Sequence, residues 1–471
     1  MGRPRVGRTR HGPGHRRGRQ KRGLQASFQA TLLQEIEKLI GRPAPEGLDL
    51  EALETAAKRC ALRLAAQAIE AHLNQDHSDY SGPQQSCECG GPARYAGRRS
   101  KSFQSVLGPL RLERAYYHCA ACEGGFFPRD RALGLEPASL SPGVSRMVAL
   151  VGAMVSFREG HQLLQQLAGV TLNPKRVERS AEALGAALAE DEKQHAAPLD
   201  SSPPPPTLYL GLDGTGIPMR PAELRGRAGK QPDGSAKTRE VKLCVIWSAE
   251  SRDEQGRPKR DEGSVSYTAA LESAASPDSA PQRSEFRERV LREIQRRQFF
   301  DAPRTAVVAD LAPWIWNTTQ ELSPRSIPVA DRFHVKERLS GIGKAVYGAG
   351  SEQAKQWTAR RYEELDAGRF AELLRAVGRH TERCEEARKG AAYLETHRAK
   401  MRYPEFEQQG LCTSSGVIEA GCKNVIGTRL KRGGMHWTEA GANAIIALRC
   451  SILSGRFEDF CERHFRPPTP P

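Results

Sequence analysis

The sequence contains no run of about 18 apolar residues, which is roughly the length that a membrane-spanning helix needs. Near its start it also lacks the apolar stretch that a secretory signal peptide carries. These two absences argue against a membrane protein and against a secreted one. We therefore expect a cytoplasmic protein.

Acidic residues are in deficit, most clearly at the start of the chain. The 471 residues include 71 Lys and Arg against 56 Asp and Glu, which gives a net charge of +15 and a pI near 9.4. Such an excess indicates a polyanionic partner, and nucleic acid is favoured over an anionic membrane surface. Residues 1–22 carry nine Arg and Lys with no acid, so we predict a disordered basic arm over residues 1–25. That arm either coats DNA phosphates or is only a solubilising tail.

The pattern along the chain predicts a multidomain α+β protein. Residues 26–135 begin with helical spacing of apolar residues, broken by Gly-Arg-Pro at 41–43, and end in a β-hairpin. Residues 136–206 are expected to be helical and to end in a Pro-rich linker, where we place the main domain boundary. Residues 207–471 form the last predicted domain.

The helical region and the last domain each carry a recognisable pattern. GHQLLQQLAGVTLNPKRVERSAEALG is typical of a helix-turn-helix, which either reads DNA or is an ordinary helix pair. In the last domain, strand-like runs such as LYLGL and TAVVA alternate with the helical EFRERVLREIQRR, which predicts a mixed sheet with crossover helices. The charged stretch at about 334–410 is predicted to be a helical insertion. A further helix, capped by Ser415, should follow it.

Four of the eleven cysteines cluster, and the other seven are scattered as reduced thiols would be. Cys87 and Cys89 precede the predicted hairpin, whereas Cys119 and Cys122 follow it. Folding of the hairpin would bring four thiolates together, which suits a structural Zn²⁺ in a zinc-ribbon-like unit. The alternative is four unliganded core cysteines. The unit should present Arg98, Arg99 and Lys101 to DNA.

Three carboxylates are candidates for a catalytic metal site. Asp213 follows LYLGL and precedes Gly-Thr-Gly, and Asp310 follows TAVVA in the same manner. A single Asp at a strand end is more often a helix cap or loop residue, but two in one domain are harder to dismiss. Glu419 lies in an apolar helical stretch, where burial would demand a metal ion or a basic partner. Three such acids can hold two divalent ions, with Mg²⁺ or Mn²⁺ favoured by the oxygen ligands, for phosphoryl transfer.

The motifs LGLDGTGIPM, VVADLAPWIWN, VADRFHVKERL and SSGVIEAGCKNVIGTRLKRGGMHW, with the cysteine hairpin, resemble those of a known family. This family comprises the DDE transposases of bacterial insertion sequences. The resemblance is to their Kra-type group, which is related to the mutator-like transposases. The resemblance covers roughly residues 85–460. It implies an RNase H-like catalytic domain in which Asp213, Asp310 and Glu419 are the catalytic, metal-binding triad.

The resemblance also bears on neighbouring residues and on partners. His334, in Asp331-Arg-Phe-His334, matches a family pattern and would contact DNA or shape the site. Leu311 departs from the Gly that usually follows the second Asp, and Asp331 is the rival for that position. The partner would be double-stranded DNA, namely terminal inverted repeats and target DNA, bound by a homo-oligomer associated with the nucleoid.

A basic turn follows the third carboxylate. Cations at a helix end either offset the helix dipole or grip phosphates beside the cut. We predict DNA contacts for His334 and for four cations after Glu419, namely Lys423, Arg429, Lys431 and Arg432.

Two other functions stay open at this point. A metal-dependent nuclease or resolvase on the same fold would cut DNA without joining it, and a strand-transfer assay separates it from a transposase. An inactive DNA-binding regulator would also fit, although all three carboxylates are present. Trp314 and Trp316 either face an unpaired base or, as the pattern favours, pack in the core.

Overall fold

The computed structural model describes residues 29–30, 33–34, 37, 49–135, 139–196, 202–227, 229, 231–272 and 284–466. The predicted basic arm, and most of the helix predicted before residue 41, lie outside these residues. The described residues form two compact units: those within 1–148, 158–176 and 461–471 make the first, and those within 149–157 and 177–460 make the second. None of the helices in the described residues is long and apolar enough to cross a membrane.

The first unit contains a long helix and a small antiparallel sheet, followed by a short helix. Helix α1 spans Leu50–Gln75, and the Asp49 carboxylate caps it by accepting from the N–H of Ala52 at 3.0 Å. The sheet has the order β1-β2-β3-β4. Its strands are Gln84–Ser86, Pro92–Ser105, Gly108–Cys119 and Gly125–Phe126, and α2 spans Pro128–Ala132.

The long hairpin of this sheet was predicted and is confirmed. Phe103, Leu110 and Leu112 are buried on one face and pack against Leu73 of α1. The register shifts between Tyr95 and Arg98, where Gly97 has a φ of 92°. This positive φ is the conformation that glycine adopts without strain, so the bulge depends on it.

Three helices follow, and each contributes residues to both units. They are α3 (Pro142–Met154), α4 (Phe157–Ala168) and α5 (Pro174–Gln194), so the predicted helix-turn-helix exists as a helix pair. The compact units do not divide at the Pro-rich segment, because α5 joins the second unit from Val177 onwards. At Gly185 it packs so close to the backbone of Ala444 that a Cβ would clash.

The second unit is built on a five-stranded mixed sheet with the order β11-β10-β5-β6-β9. Strands β5, β6 and β9 are antiparallel neighbours, whereas β10 and β11 run parallel to β5. Helix α6 connects β9 to β10, and helix α7 connects β10 to β11. The strands of this sheet are β5 (Thr207–Pro218), β6 (Thr238–Ser248), β9 (Ser266–Leu271), β10 (Arg304–Ala309) and β11 (Ile327–Ala330). The helices are α6 (Glu285–Arg296) and α7 (Pro313–Leu322). Strands β7 (Ser251–Arg252) and β8 (Pro258–Lys259) form a separate ribbon.

Both faces of this sheet are covered, which explains the nearly continuous apolar runs of its strands. On one face Leu208, Leu210 and Leu212 pack against α6 and α7. Trp314 and Trp316 also pack against this core, as the pattern favoured. Side chains alternate along a strand, so the residues between these leucines point to the opposite face.

The predicted helical insertion follows β11. It contains five helices: α8 (Arg332–Tyr347), α9 (Glu352–Asp366), α10 (Phe370–Gly378), α11 (Glu385–His397) and α12 (Tyr403–Gln408). The chain then returns to the sheet as α13 (Gly416–Gly421), a wider π-helical segment (Cys422–Gly427) and α14 (Thr428–Leu430). Helices α15 (Glu439–Leu453) and α16 (Phe457–Phe465) complete the chain. The mixed α+β architecture is as predicted.

Candidate functional site

Three aspartates lie in one row across three adjacent strands. Strand β10 pairs with β5 as far as Val307 and Leu210, and Asp310 and Asp213 each follow this last pair by three residues. Strand β11 pairs with β10 as far as Ala330 and Ala309, and Asp331 and Asp310 come directly after this last pair. Adjacent strands are about 4.8 Å apart. The row therefore brings together residues that are distant in the sequence.

Asp213 is largely enclosed on the face opposite α6. The N–H of Gly214 donates to its Oδ1 at 2.6 Å, and the Cys422 thiol donates to its Oδ2 at 3.2 Å. Burial raises the pKa of Asp213, and the nearby Asp310 carboxylate adds to the rise. A carboxylate whose charge is disfavoured in this way is stabilised by a cation.

Asp310 is held by contacts to both its side chain and its backbone. Its Oδ1 accepts from the N–H of Ala312 at 2.7 Å, and its carbonyl accepts from the indole N–H of Trp316 at 2.9 Å. The carboxylate lines a cleft of about 340 Å³ together with His334 and Tyr393. Asp310 is thus both fixed in position and accessible.

Asp331, the third member of the row, is fully engaged within the protein. Its Oδ1 caps α8 by accepting from Phe333 N–H at 2.9 Å, and its Oδ2 accepts from His334 Nδ1 at 2.6 Å and from the Ser415 hydroxyl. Only 1% of the residue is exposed. The bond to Asp331 raises the pKa of His334 to about 9, with Asp310 and Asp213 contributing. Asp331 therefore acts here as a helix cap and as the partner of a histidinium.

Glu419 lies on α13, on the same face of the sheet as Asp213. Ile418 packs on Gly211, and Gly421 lies against Leu243. Ser415 stands at the N-cap position but directs its hydroxyl to Asp331 rather than to its own helix. The Glu419 side chain is exposed, so the argument from its burial does not hold.

The three predicted catalytic carboxylates do not form a closed ligand set in this structure. Among the described residues, only the four clustered cysteines form a group of three or more Cys, His, Asp or Glu whose ligand atoms lie within 4.8 Å of one another. Asp213 and Asp310 follow paired residues of adjacent strands and lie close enough for Asp310 to raise the pKa of Asp213, and the helix of Glu419 covers the same face. Their oxygens are the donors that Mg²⁺ and Mn²⁺ prefer.

The predicted DNA-contacting cations differ in their surroundings. Lys423 and Lys431 are exposed and Arg432 is half-buried, and Lys431 donates to Thr215, two residues beyond Asp213. Arg429 is fully buried: its Nε donates to the Gly152 carbonyl at 2.8 Å, and its guanidinium lies over the rings of Phe157 and Trp437. Because no surface of Arg429 faces solvent, we remove it from the predicted DNA contacts and assign it to the packing of this unit.

The four cysteines come together as predicted. The Sγ atoms of Cys87 and Cys122 are 3.7 Å apart, and those of Cys89 and Cys119 are 3.6 Å apart. Four sulfurs around a tetrahedral Zn²⁺ would be about 3.8 Å apart at the usual bond length. The backbone N–H of Cys122 lowers the pKa of Cys119 to about 7 against the effect of burial, which favours a thiolate at Cys119. The backbone N–H of Gly124 lowers the pKa of Cys122, but the neighbouring Cys89, Cys87 and Cys119 outweigh it and raise that pKa to about 12. The cluster can hold a structural metal such as zinc.

Two of the three cations expected to face DNA from the hairpin have structural partners instead. Arg98 forms an ion pair with the buried Asp79 at 3.0 Å, and Lys101 pairs with Asp130 at 3.0 Å. Arg99 is exposed and lies over the ring of Tyr116. Only Arg99 of these three is therefore free to face a ligand from the hairpin surface.

Sequence reasoning missed two residues that shape the row. Cys422, which donates to Asp213, was not singled out, and Trp316 was considered only as a residue that faces an unpaired base or packs in the core. The spacing of Cys422 three residues after Glu419 was the available signal for the first. Nothing in the local pattern indicated that the indole of Trp316 would donate to the backbone of Asp310.

A family model supplies the decisive comparison, since the uncharacterised protein family UPF0236 matches residues 44–462. The chain belongs to this family. A curated relative, the UPF0236 protein in the vanSb 3′ region of Streptococcus gallolyticus, is 23% identical over 347 residues, covering 71% of this chain and 69% of the relative. A solved structure, the Drosophila P element transposase strand transfer complex, matches at 10% identity and a TM-score of 0.25, covering 70% of this chain and 83% of that one. A TM-score that low carries no argument about this chain.

Proposed function

We propose that this protein is a DNA transposase whose chemistry depends on Asp213, Asp310 and Glu419. The observation that carries the proposal is the strand register, in which Asp310 and Asp213 each follow the paired Val307 and Leu210 by three residues, close enough for the Asp310 carboxylate to raise the pKa of Asp213. Two carboxylates in that position, with a third on a helix over the same face, are what two-metal phosphoryl transfer needs. The bacterial Kra-type group remains the family that the motifs resemble.

The sheet order supports an RNase H-like catalytic domain. That fold has three antiparallel strands followed by two strands parallel to the first, joined by helices, and the order β11-β10-β5-β6-β9 follows this plan. The long helical segment after β11 agrees with an insertion between the second and third acids.

The residues would divide the work as follows. Asp213, Asp310 and Glu419 would hold Mg²⁺ or Mn²⁺, which would activate a water or a 3′-hydroxyl and stabilise the leaving oxygen. His334, protonated beside Asp331, places a positive charge next to the cleft of Asp310. Lys423, Lys431 and Arg432 would contact phosphates near the cut. Asp331 is proposed to position His334 rather than to bind metal.

DNA recognition is proposed to rest mainly on residues 1–206. The cysteine hairpin, held by zinc, would present Arg99, and the helix pair α4 and α5 would supply a second contact. The partner would be double-stranded DNA with terminal inverted repeats, bound by a homo-oligomer. These contacts would bind the inverted-repeat ends of the DNA without contributing to cleavage.

The test uses duplex DNA carrying the inverted repeats that flank the coding region, with Mg²⁺ or Mn²⁺ added. The purified full chain should nick this DNA and join the freed 3′ end to a target, while Asp213→Asn and Asp310→Asn bind it and leave it intact. Cutting without joining would indicate a nuclease or resolvase instead. A wild-type chain that binds the ends but neither cuts nor joins would contradict the enzyme proposal.

A further inference from the structure

A second charged cleft lies within the helical insertion, outside the aspartate row. It has a volume of about 690 Å³ and is formed by the end of α8 together with α9 and α10. Arg360, Arg375 and Arg379 line it, with Trp357 and His380 beneath them. The cleft is therefore both large and rich in cations.

The positive charge of this cleft is not neutralised by its own acids. Glu364 is held by Arg361, whose Nε donates to it at 2.6 Å, and Glu372 pairs with Arg369 at 3.8 Å. Within the described part of the chain, Arg360, Arg375 and Arg379 have no carboxylate partner. Burial lowers the pKa of His380, and the neighbouring Arg383, Arg379 and Arg361 lower it further, which indicates a positive local potential.

Another part of the insertion surface, formed by helix α11 and the start of α12, differs from the cleft. Lys389 and Arg388 share Glu385, and Arg402 pairs with Glu405 at 2.8 Å. These three exposed cations thus sit beside acids, as expected for an ordinary solvated surface, whereas Lys344, Arg383 and Arg398 are exposed and have no ion pair within the described residues. An unpaired group of three arginines is typical of a site for an anion.

The aromatic residues of the cleft indicate which kind of anion it can bind. Trp357 is only 9% exposed; Arg361 lies over its ring, and Tyr347 and His380 pack against it. Trp357 therefore offers little open face to a stacked base, which a free nucleotide or an unpaired strand would need. Guanidinium groups alone suit the phosphates of a duplex backbone.

We propose that the cleft of Arg360, Arg375 and Arg379 binds the phosphate backbone of duplex DNA, as a contact separate from the aspartate row. It deepens the proposed function, because DNA is already the proposed substrate. The cleft would hold the duplex through charge alone, so it would contribute affinity and salt dependence without sequence preference.

The test compares two variants of the full chain that each remove three positive charges. One is Arg360→Gln, Arg375→Gln and Arg379→Gln together; the control is Arg388→Gln, Lys389→Gln and Arg402→Gln. Binding of a duplex is measured from 50 to 300 mM salt without divalent ions, and thermal unfolding shows that both variants are folded. The slope of log affinity against log salt should fall by about 0.9 for each phosphate that the first variant no longer neutralises, and it should hardly change in the control. The single variant Arg379→Glu should weaken binding at low salt.

The outcomes separate this proposal from the proposed function. Equal slopes and affinities for the two triple variants would overturn the cleft proposal and leave the transposase proposal standing. If the first triple variant loses the binding of ATP but keeps the duplex affinity of the wild type, the cleft is assigned to a free nucleotide. That result would also overturn the cleft proposal. A wild-type chain that fails to bind any duplex would overturn both. The binding assay contains no divalent ion, so its result does not depend on cleavage. The loss of cleavage expected for Asp213→Asn therefore leaves this measurement unchanged.

Discussion

The hydroxyl of Ser415 donates a hydrogen bond to Oδ2 of Asp331, 84 residues earlier in the chain. Asp331 caps the first helix of the insertion, and Ser415 stands at the start of the helix that carries Glu419. The same carboxylate oxygen also accepts from His334. One buried acid thus joins both ends of the helical insertion to the histidine beside the proposed site.

The first prediction concerns the protonation of His334. Asp331→Asn removes the charge that chiefly raises the pKa of His334, so that pKa should fall from about 9 towards 6.5. Titration of the ring proton by NMR measures it. His380, whose pKa is lowered by burial and nearby arginines, should not change. Cleavage by this variant should be reduced but not abolished, and a His334 pKa still near 9 would show that Asp331 is not its main partner.

The second prediction concerns Glu419. Glu419→Gln keeps the size of the side chain but replaces one acceptor oxygen with a donor NH2 group and removes the charge, and a neutral amide does not balance two divalent ions. Cleavage should fall to background, while end binding stays within about twofold because it rests on phosphate and base contacts elsewhere. Glu405→Gln, an exposed acid paired with Arg402, is the matched control and should cut normally. Normal cutting by Glu419→Gln would remove Glu419 from the triad.

The third prediction concerns the cysteine cluster. Purified protein should contain one zinc per chain, and Cys119→Ser should lose it, because Cys119 supplies a buried sulfur of the cluster. Since structural zinc contributes directly to folding free energy, a strong chelator should lower the melting temperature of the wild type. Cys384→Ser, outside the cluster, should keep the metal. Full zinc content in Cys119→Ser would contradict a four-cysteine site.

The fourth prediction concerns a buried carboxylate. Glu293 is fully buried and pairs with Arg296 at 2.6 Å and with Arg456 at 3.3 Å. Burial would raise the pKa of Glu293, but Arg456 and Arg296 outweigh it and hold the pKa below its usual 4.5. Glu293→Ala leaves both arginines without that partner and should lower the free energy of unfolding by about 3–5 kcal/mol, as measured with denaturant.

The same carboxylate gives a pH dependence with a definite sign. Because the pKa in the folded state is depressed, the pair stabilises the protein above pH 4.5 and loses this contribution as the pH falls through the folded-state pKa. Glu293→Gln should therefore flatten the decline of stability below pH 4.5. Parallel acid-unfolding curves for wild type and Glu293→Gln would show that Glu293 is not linked to folding.

The fifth prediction concerns the packing of α13 on the sheet. A Cβ at Gly211 would clash with the side chain of Ile418. Gly211→Ala should cost about 1–3 kcal/mol of stability and reduce cleavage by displacing Glu419. Ile418→Ala in the same chain should restore part of that stability, so the two changes should not be additive in denaturant unfolding. Strict additivity would mean that the two residues are not in contact.

Much of the architecture could be predicted because its signals are local. The runs LYLGL and TAVVA are each followed by an aspartate and form neighbouring strands. The two cysteine pairs flank a hairpin, which brings the four cysteines together. Each of these follows from strand periodicity or from ligand spacing within a short segment. The limits of the helical insertion follow from its charge and helical period in the same way.

What could not be predicted depends on contacts between distant segments. Arg429 lies in a basic stretch whose composition is typical of a DNA-contacting turn. The aromatic rings of Phe157 and Trp437 nevertheless lie against its guanidinium. Arg98 and Lys101 likewise have the pattern of a basic surface, and their buried acidic partners lie elsewhere in the chain. Periodicity shows which side of a helix is polar, but it does not show which cation another segment will cover.

The π-helical segment Cys422–Gly427 has a consequence for the helix on either side of it. In a regular α-helix, Glu419 and Lys431 would point about 120° apart around the axis. A π turn takes up roughly one additional residue, so the helix after it is rotated back relative to the helix before it. Asp213 contacts Cys422, and Lys431 reaches Thr215 on the same strand. A deletion of one residue inside this segment would therefore change the direction of Lys431 while leaving Glu419 where it is.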